Sequence, residues 1–295
     1  MLTDNFQADG VRDMLPVLLE PGKPAKASTH HVANTNHDFQ DQYGPGARIL
    51  GDPDTIDRVL LKHTMNTYEP LWDKSDRNNG PRAKLHKSLR KLVHTARISN
   101  IVCIGLGTLD ASDPMKAGSI VQHIAASFIA EDLAQLYEAE GIPLQDSIRI
   151  IAQDPAYTDL DRQALSELPV PIEVVSDPEG FLAINEHSLV FSSYPSVPVK
   201  QLIADLAIET PGGKGPAALF LNSDREDKFF GDFDVVKYRP NDPRRYANAE
   251  TKAYVKMLES YTRVLDGERR FGIAFNYERP GFEWLSGMDI WGRED

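Results

Sequence analysis

Cysteine is nearly missing from this sequence: Cys103 stands alone among 295 residues. One cysteine cannot close an intramolecular disulfide, and no cluster exists to hold a structural zinc ion. A reducing compartment is the expectation. Long apolar runs are missing as well, since none approaches the roughly 20 residues that span a bilayer. Residues 1–22 place acids early and have no basic start followed by an apolar core, so neither a secretory nor a mitochondrial leader is read there. These absences lead to the expectation of a soluble cytoplasmic or nuclear protein. Positive charge is the third shortage: 32 Lys and Arg face 44 Asp and Glu, a net charge of -12. A surface so acidic repels phosphates over most of its area, which argues against broad nonspecific DNA binding.

Motifs for the common nucleotide and hydrolase sites are missing too. The stretch IVCIGLGTL (residues 101–109) has Gly105 and Gly107, but the dinucleotide fingerprint G-x-G-x-x-G needs a third glycine where Asp110 stands. It also needs an acid about 20 residues on. The first acidic strand end here, Asp154, comes well beyond that. Asp110 or Asp113 near a helix entrance would moreover repel a pyrophosphate. No G-x-x-x-x-G-K-[ST] loop is present, and PGGKGP (residues 211–216) precedes a strand and reads as a turn. No G-x-S-x-G elbow marks a serine nucleophile. The sequence therefore requires no cofactor and no metal.

What is present describes a packed α/β protein. Hydrophobic residues at 41% and charged residues at 26% suffice for a sizeable core. Residues 1–50 read as an extended arm, broken by PGKP and GPG, with no sustained period. His30, His31 and His37 lie there beside Asp38 and Asp41, at a spacing that matches no standard metal-ligand pattern. A helix is read from Asp54, with Ile56, Val59, Leu60 and His63 on one face, and Trp72 follows as an anchor. Residues 82–97 (RAKLHKSLRKLVHTAR) form an amphipathic helix with Leu85, Leu89, Leu92, Val93 and Ala96 on one face. Lys84, Lys87, Arg90 and Lys91 crowd the other, uninterrupted by an acid. A solvated helix face is the plain account of that cluster; docking of tRNA or an acidic partner is the sharper one.

Beyond residue 100, strands alternate with helices. Strands are read at 101–104, 147–153, 171–175, 188–193 and 217–222, with helices at 115–140, 159–168 and 198–208. Thr158 is the expected N-cap of the second of these helices. A helix at 248–265 and a strand at 272–277 are read as an extension packed on the same domain. The fold expected is a single Rossmann-like domain over 51–295, a mostly parallel sheet with helices on both faces. Its core spans about 72–224, with residues 225–295 as the extension.

Ligands bind such sheets beyond the carboxyl ends of the strands. Four ends here carry small or polar residues: Gly105, Gly107 and Thr108; Asp154 and Tyr157; Ser192, Ser193 and Tyr194; and Asn222. Strand ends favour such residues anyway, so the case rests on all four converging. His123, in the first turns of the long helix, is placed to face the same crevice. His123, Asp154 and Ser193 are the candidate catalytic groups, with Ser192 or Ser193 pairing with His123 or His187 only if the fold brings them together. Cys103 reads as inert core.

The ordered set IVCIGLGTL, SIVQHIAA, AQDPAYTDLDRQAL, DPEGFLAI, SLVFSSYPSVPVKQLIADLA and ALFLNSD resembles the sensitivity-to-red-light-reduced family, specifically its fungal branch. The resemblance implies a Rossmann-like domain in a family whose plant members are associated with red-light signalling and the circadian clock, and others with stress responses and haem-related regulation. It carries the family's glycine strand end onto Gly105 and Gly107, its glutamine onto Gln122, its Asp-Pro onto Asp154 and Pro155, and a later motif onto Ser193, Tyr194 and Pro195. SSYPSVPV departs there from the tyrosine-rich, histidine-containing segment of the plant pattern. Two functions stand as expectations. One is a regulatory protein binding a small molecule or protein partner in the crevice. The other is a group-transfer enzyme using the same crevice, such as an aminoacyl-tRNA-dependent cyclodipeptide synthase or an S-adenosylmethionine-dependent methyltransferase. The first transferase lacks the Asp-Asp-x-x-Glu run expected of fungal arginine-using synthases, and the second is weakened by the glycine spacing.

Overall fold

The computed structural model describes residues 53–73, 80–110, 117–210, 213–223, 248–278 and 281–295. The arm and its three histidines, Asp113, and the polar run after Ser223 lie outside the described residues. The first helix, α1 (Pro53–Asp73), crosses the boundary between two units of the chain, 1–63 and 64–295. The sheet and every later element belong to the second unit.

The centre of that unit is a sheet of five parallel strands, β1 (Asn100–Ile104), β2 (Arg149–Gln153), β3 (Ile172–Val174), β4 (Ser188–Ser192) and β5 (Ala218–Asn222). They lie in the order β3-β2-β1-β4-β5, with Cys103 paired to Ala152 on one side and Phe191 on the other. β4 and β5 are buried along their whole length, as strands covered on both faces must be. The residues alternate between faces. Val102, Ile104, Val190, Leu219 and Leu221 join one apolar cluster with Val199, Ile203 and Ala204 of α6 (Val199–Glu209) and Tyr254 of α7 (Lys252–Leu258). Phe191 and Phe220, offset by one from that set, stack with centroids 4.7 Å apart on the opposite face, where Trp284 covers both.

That second face belongs to α3 (Ala117–Ala139), whose residues 120–130 are all buried. A helix apolar on every side needs cover from outside as well. α2 (Pro81–Leu92) contributes it, burying Leu85, Leu89 and Leu92. The Arg82 guanidinium of α2 binds the α3 pair Glu131 and Asp132 at 2.8 and 2.7 Å and lies over the Phe128 ring. The remaining connections are α4 (Asp159–Ser166) and the one-turn α5 (Glu179–Leu182). Thr158 caps α4 as expected, and its partner is reciprocal: Asp161 accepts a bond from the Thr158 amide at 2.7 Å.

The C-terminal extension differs from its sequence reading. The helix read over 248–265 ends at Leu258, and Tyr261–Asp266 is a strand, β6. Apolar spacing at Tyr254, Met257, Leu258 and Tyr261 fits a helix. Cross-strand pairing overrides it beyond the turn at Glu259 and Ser260, and the Tyr261 hydroxyl then donates to the Pro216 carbonyl at 2.6 Å. The strand read at 272–277 is instead part of a helical segment, α8 (Gly267–Glu278), broken at Gly272 where φ is +67°. A last strand, β7 (Met288–Arg293), lies antiparallel between β5 and β6 and completes the order β3-β2-β1-β4-β5-β7-β6. Among the described residues, no helix is long and apolar enough to cross a membrane.

Candidate functional site

The strand order reverses between β1 and β4, and in doubly wound sheets the crevice outside the carboxyl ends of two such strands is where ligands bind. Two regions with different chemistry meet there.

The first is the corner between β1 and β2. Gly105 and Gly107 have φ of +66° and +82°, a region that glycine enters without strain. The turn this allows aims the Gly107 amide at Asp154 Oδ2, 2.8 Å away, while Asp154 Oδ1 accepts from the Ala156 amide at 2.9 Å. Asp154 therefore ties the glycine loop to the end of β2. Two residues further on, the Leu109 amide donates to Asp161 Oδ1 at 2.8 Å, so α4's capping carboxylate also holds the loop. Thr108 Oγ1 accepts from the Asp110 amide. Ser119 Oγ donates to the Leu106 carbonyl at 2.7 Å, fastening the start of α3.

His123 is fully buried in this corner. Its Nδ1 lies 2.7 Å from the Ser119 carbonyl, which can only accept, so Nδ1 carries the proton. Nε2 then accepts from the Tyr157 hydroxyl at 2.6 Å. Burial lowers the His123 pKa to about 4, against the weaker upward pulls of the Ser119 carbonyl, Asp161 and Asp154. Burial likewise pushes the Tyr157 phenol far up, and the charges of Asp154 and Asp161 add to it. The imidazole is neutral with both nitrogens engaged, and neither candidate serine is among its partners. Burial raises the Cys103 thiol in the same way.

The second region is the crevice between β1 and β4. Ser192 Oγ donates to the Ile104 carbonyl at 2.6 Å and closes its floor. Pro195 covers Gly105, where an added methyl would sit 3.4 Å from the proline Cβ. Ser193, one residue past β4, continues the alternation to the Phe191 and Trp284 side. Gln122 lies one turn beyond Gly118, where a side chain would reach within 3.9 Å of the same Trp284 ring. Gln122 is 8% exposed and Ser193 6%, yet Gln122 Oε1 and Ser193 Oγ have no hydrogen-bond partner among the described residues. Buried polar atoms are nearly always satisfied; Trp72 Nε1 and Arg293 Nε are orphaned elsewhere, and Gln122 and Ser193 are the two orphans among the residues read as the strand-end site. Next to Ser193 in the chain is Tyr194, 60% exposed, with a φ of +49° that non-glycine residues rarely adopt. Its hydroxyl occupies the place a side chain at Gly287 would need.

At the β5 end, Asn222 Oδ1 accepts from Asn248 Nδ2 at 3.2 Å, and Asn248 Oδ1 caps α6 through the Lys200 amide at 2.7 Å. The Lys200 side chain is fully buried, 3.3 Å from Glu250 and over the Tyr254 ring. Reading the sequence missed Asp161, Lys200, Asn248, Trp284 and Gly287. Thr158 followed by Asp161 was a capping signature, whereas nothing local links Asn248 to Lys200.

The basic helix lies apart from this end. Lys84 faces the Phe271 ring at 5.5 Å, while Lys87, Arg90 and Lys91 line the outer side of α2, with Arg90 and Lys91 exposed. The last turn of α2 packs at Gly292 of β7, beside the start of β5, which is the opposite edge of the sheet. His187, also at that edge, approaches the Arg97 carbonyl at 3.3 Å, with Ser192 and Ser193 at the far end of β4. An open, mostly apolar depression of about 480 Å³ lies there too, between the second half of α3 and residues 142–148. It contains none of the strand-end residues.

A family model described as the SRR1 domain (sensitivity to red light reduced) matches residues 85–255, more than half of the chain. That span holds the glycine loop, Gln122, Asp154, Ser193 and Asn222, and stops short of β6, β7 and Trp284. No curated protein was found to match the chain.

Proposed function

Because the chain belongs to the SRR1 domain family, we propose that it acts as a regulatory protein whose response is set by a small molecule or protein partner bound in the crevice between β1 and β4. One observation carries this reading: Gln122 Oε1 and Ser193 Oγ are buried without partners at the switch in strand order. An unmade buried hydrogen bond costs about 1–3 kcal/mol. A ligand that made both bonds would recover that cost; the other two orphans, Trp72 Nε1 and Arg293 Nε, belong to α1 and β7 and not to the carboxyl ends of the parallel strands. In this reading Gly105, Gly107, Thr108 and Tyr194 form the mouth and Ser192 the floor, with Asp154 and Tyr157 bracing the adjoining corner and Asn222 the β5 end.

The transferase alternatives draw no support from the geometry. Where group transfer uses a general base, the candidates are already engaged: His123 Nε2 accepts from Tyr157, and Asp154 accepts from the Gly107 and Ala156 amides. tRNA docking at Lys87, Arg90 and Lys91 would leave the crevice at the other edge of the sheet. The test is thermal unfolding of the whole chain with nucleotides, S-adenosylmethionine, haem, amino acids and aminoacyl-tRNA, since a ligand of the native state raises the midpoint. A shift lost in Ser193→Ala supports the crevice. Shifts that persist in Ser193→Ala and Gln122→Leu reject it.

A further inference from the structure

The proposed crevice has a sign. The described loop residues beside the ends of β1 and β4, 105–110, 154–158 and 193–198, carry Asp110 and Asp154 and no Lys or Arg. The first turns of α3, residues 117–123, add no Lys or Arg. In the adjoining β1–β2 corner, Asp154 and Asp161 pull upward on the pKa of both His123 and Tyr157, a smaller effect than burial, which sets the net direction of each; a negative potential acts on neighbouring groups in this way. Among the described residues at the β5 side, Lys200 is turned inward to Glu250. The unpartnered groups agree with this sign. Gln122 Oε1 can only accept, so whatever satisfies it must donate. Ser193 Oγ can do either.

We infer that the crevice takes an uncharged or cationic molecule presenting an N–H or O–H donor, of the class of a nucleoside or an amine, and rejects phosphate esters and carboxylates. This rests on the reading above that the crevice binds a small molecule. It departs from the usual economy of doubly wound sheets, in which a glycine loop and a helix N-terminus hold a phosphate. Here the Gly107 amide, which such a phosphate would use, is already given to Asp154. A ligand anion would meet a carboxylate where it needs a donor.

Two matched pairs of probes test the sign without knowledge of the natural ligand: adenosine against adenosine 5′-monophosphate, and tyramine against 4-hydroxyphenylacetate. Thermal unfolding of the full chain is followed at low salt over a millimolar titration of each. Adenosine or tyramine is expected to raise the midpoint, with its anionic counterpart weaker by on the order of tenfold, the effect of one like charge at several ångströms in a partly wet site. The shift is expected to vanish in Ser193→Ala and in Gln122→Leu. If Gln122→Leu does not fold, Ser193→Ala carries the test alone. Anionic members that bind as well or better, with shifts lost in the variants, overturn the class and leave the crevice standing. Shifts that survive the variants overturn the crevice and the class together. No shift from any of the four overturns the class, and the wider screen then judges the crevice.

Discussion

The two regions at the ends of the parallel strands are built from the same kinds of residue and end in opposite states. In the β1–β2 corner, Asp154, Asp161, His123, Tyr157, Ser119 and Thr158 close on one another and on backbone amides. In the β1–β4 crevice, Gln122 and Ser193 are buried too but leave an oxygen unmatched, and the chain accepts a positive φ at Tyr194. The difference teaches that polar residues at a strand end do not by themselves mark a site. The corner is a brace that fixes the glycine loop. The crevice is where the polar inventory is left incomplete, and strain of this kind gathers at sites of function.

Substitutions that separate brace from crevice should differ first in stability. Asp161→Ala removes the reciprocal cap of α4 and strands the Leu109 amide, so a loss of about 3 kcal/mol is expected in urea unfolding. A loss under about 1 kcal/mol would show that the corner is not a brace. His123→Phe leaves the Tyr157 hydroxyl without its acceptor and should cost about 2 kcal/mol. It also carries a pH signature. The folded pKa of about 4 lies below the unfolded value of 6.5, so the unfolded chain binds the proton first. His123's contribution is therefore full above pH 6.5 and lost as pH falls towards 4. Unfolding midpoints of the native chain should drop over that window, and His123→Phe should lack this component of the drop.

Ser193→Ala should run the other way, changing stability by less than about 0.5 kcal/mol or raising it, because it deletes an orphan. A loss of about 2 kcal/mol would mean that Ser193 has a partner and the contrast fails. Gly287→Ala displaces the Tyr194 hydroxyl, the mobile end of a side chain, so folding should change by less than about 1 kcal/mol, while any ligand-induced shift should weaken. The smallest effect is expected from Lys87→Glu, Arg90→Glu and Lys91→Glu together: within about 0.5 kcal/mol, as for surface charges. RNA affinity at low salt that this triple variant abolishes would restore the docking role of α2.

The five parallel strands were legible because their apolar runs ended in Gly, Asp, Ser and Asn, and Thr158 announced α4 through its own side chain. Gly105 and Gly107 were legible as a turn without a dinucleotide fingerprint. The state of each polar group was not legible. Asp154 read as a ligand contact and holds Gly107; His123 read as facing the crevice and faces Tyr157. Such partners are set by packing between segments far apart in sequence, which no local pattern encodes. The hairpin of β6 and β7 was missed for a related reason. Tyr261 continues a helical spacing, and only its antiparallel neighbour, whose run Met288–Arg293 is interrupted by Asp289 and Gly292, decides between the two periods.

That hairpin bears on how the protein is made. β7 is the last of these strands to leave the ribosome, yet it pairs β5 in the interior of the sheet. Until it arrives, β5 presents an open edge of apolar residues, the kind of edge that recruits other chains. The nascent protein thus carries an unfinished side from the completion of β5 until β7 is made, and a fragment confined to residues 85–255 would keep that side for good. Such a fragment is expected to aggregate, and its recovery in soluble form should depend on supplying residues 261–295 in trans.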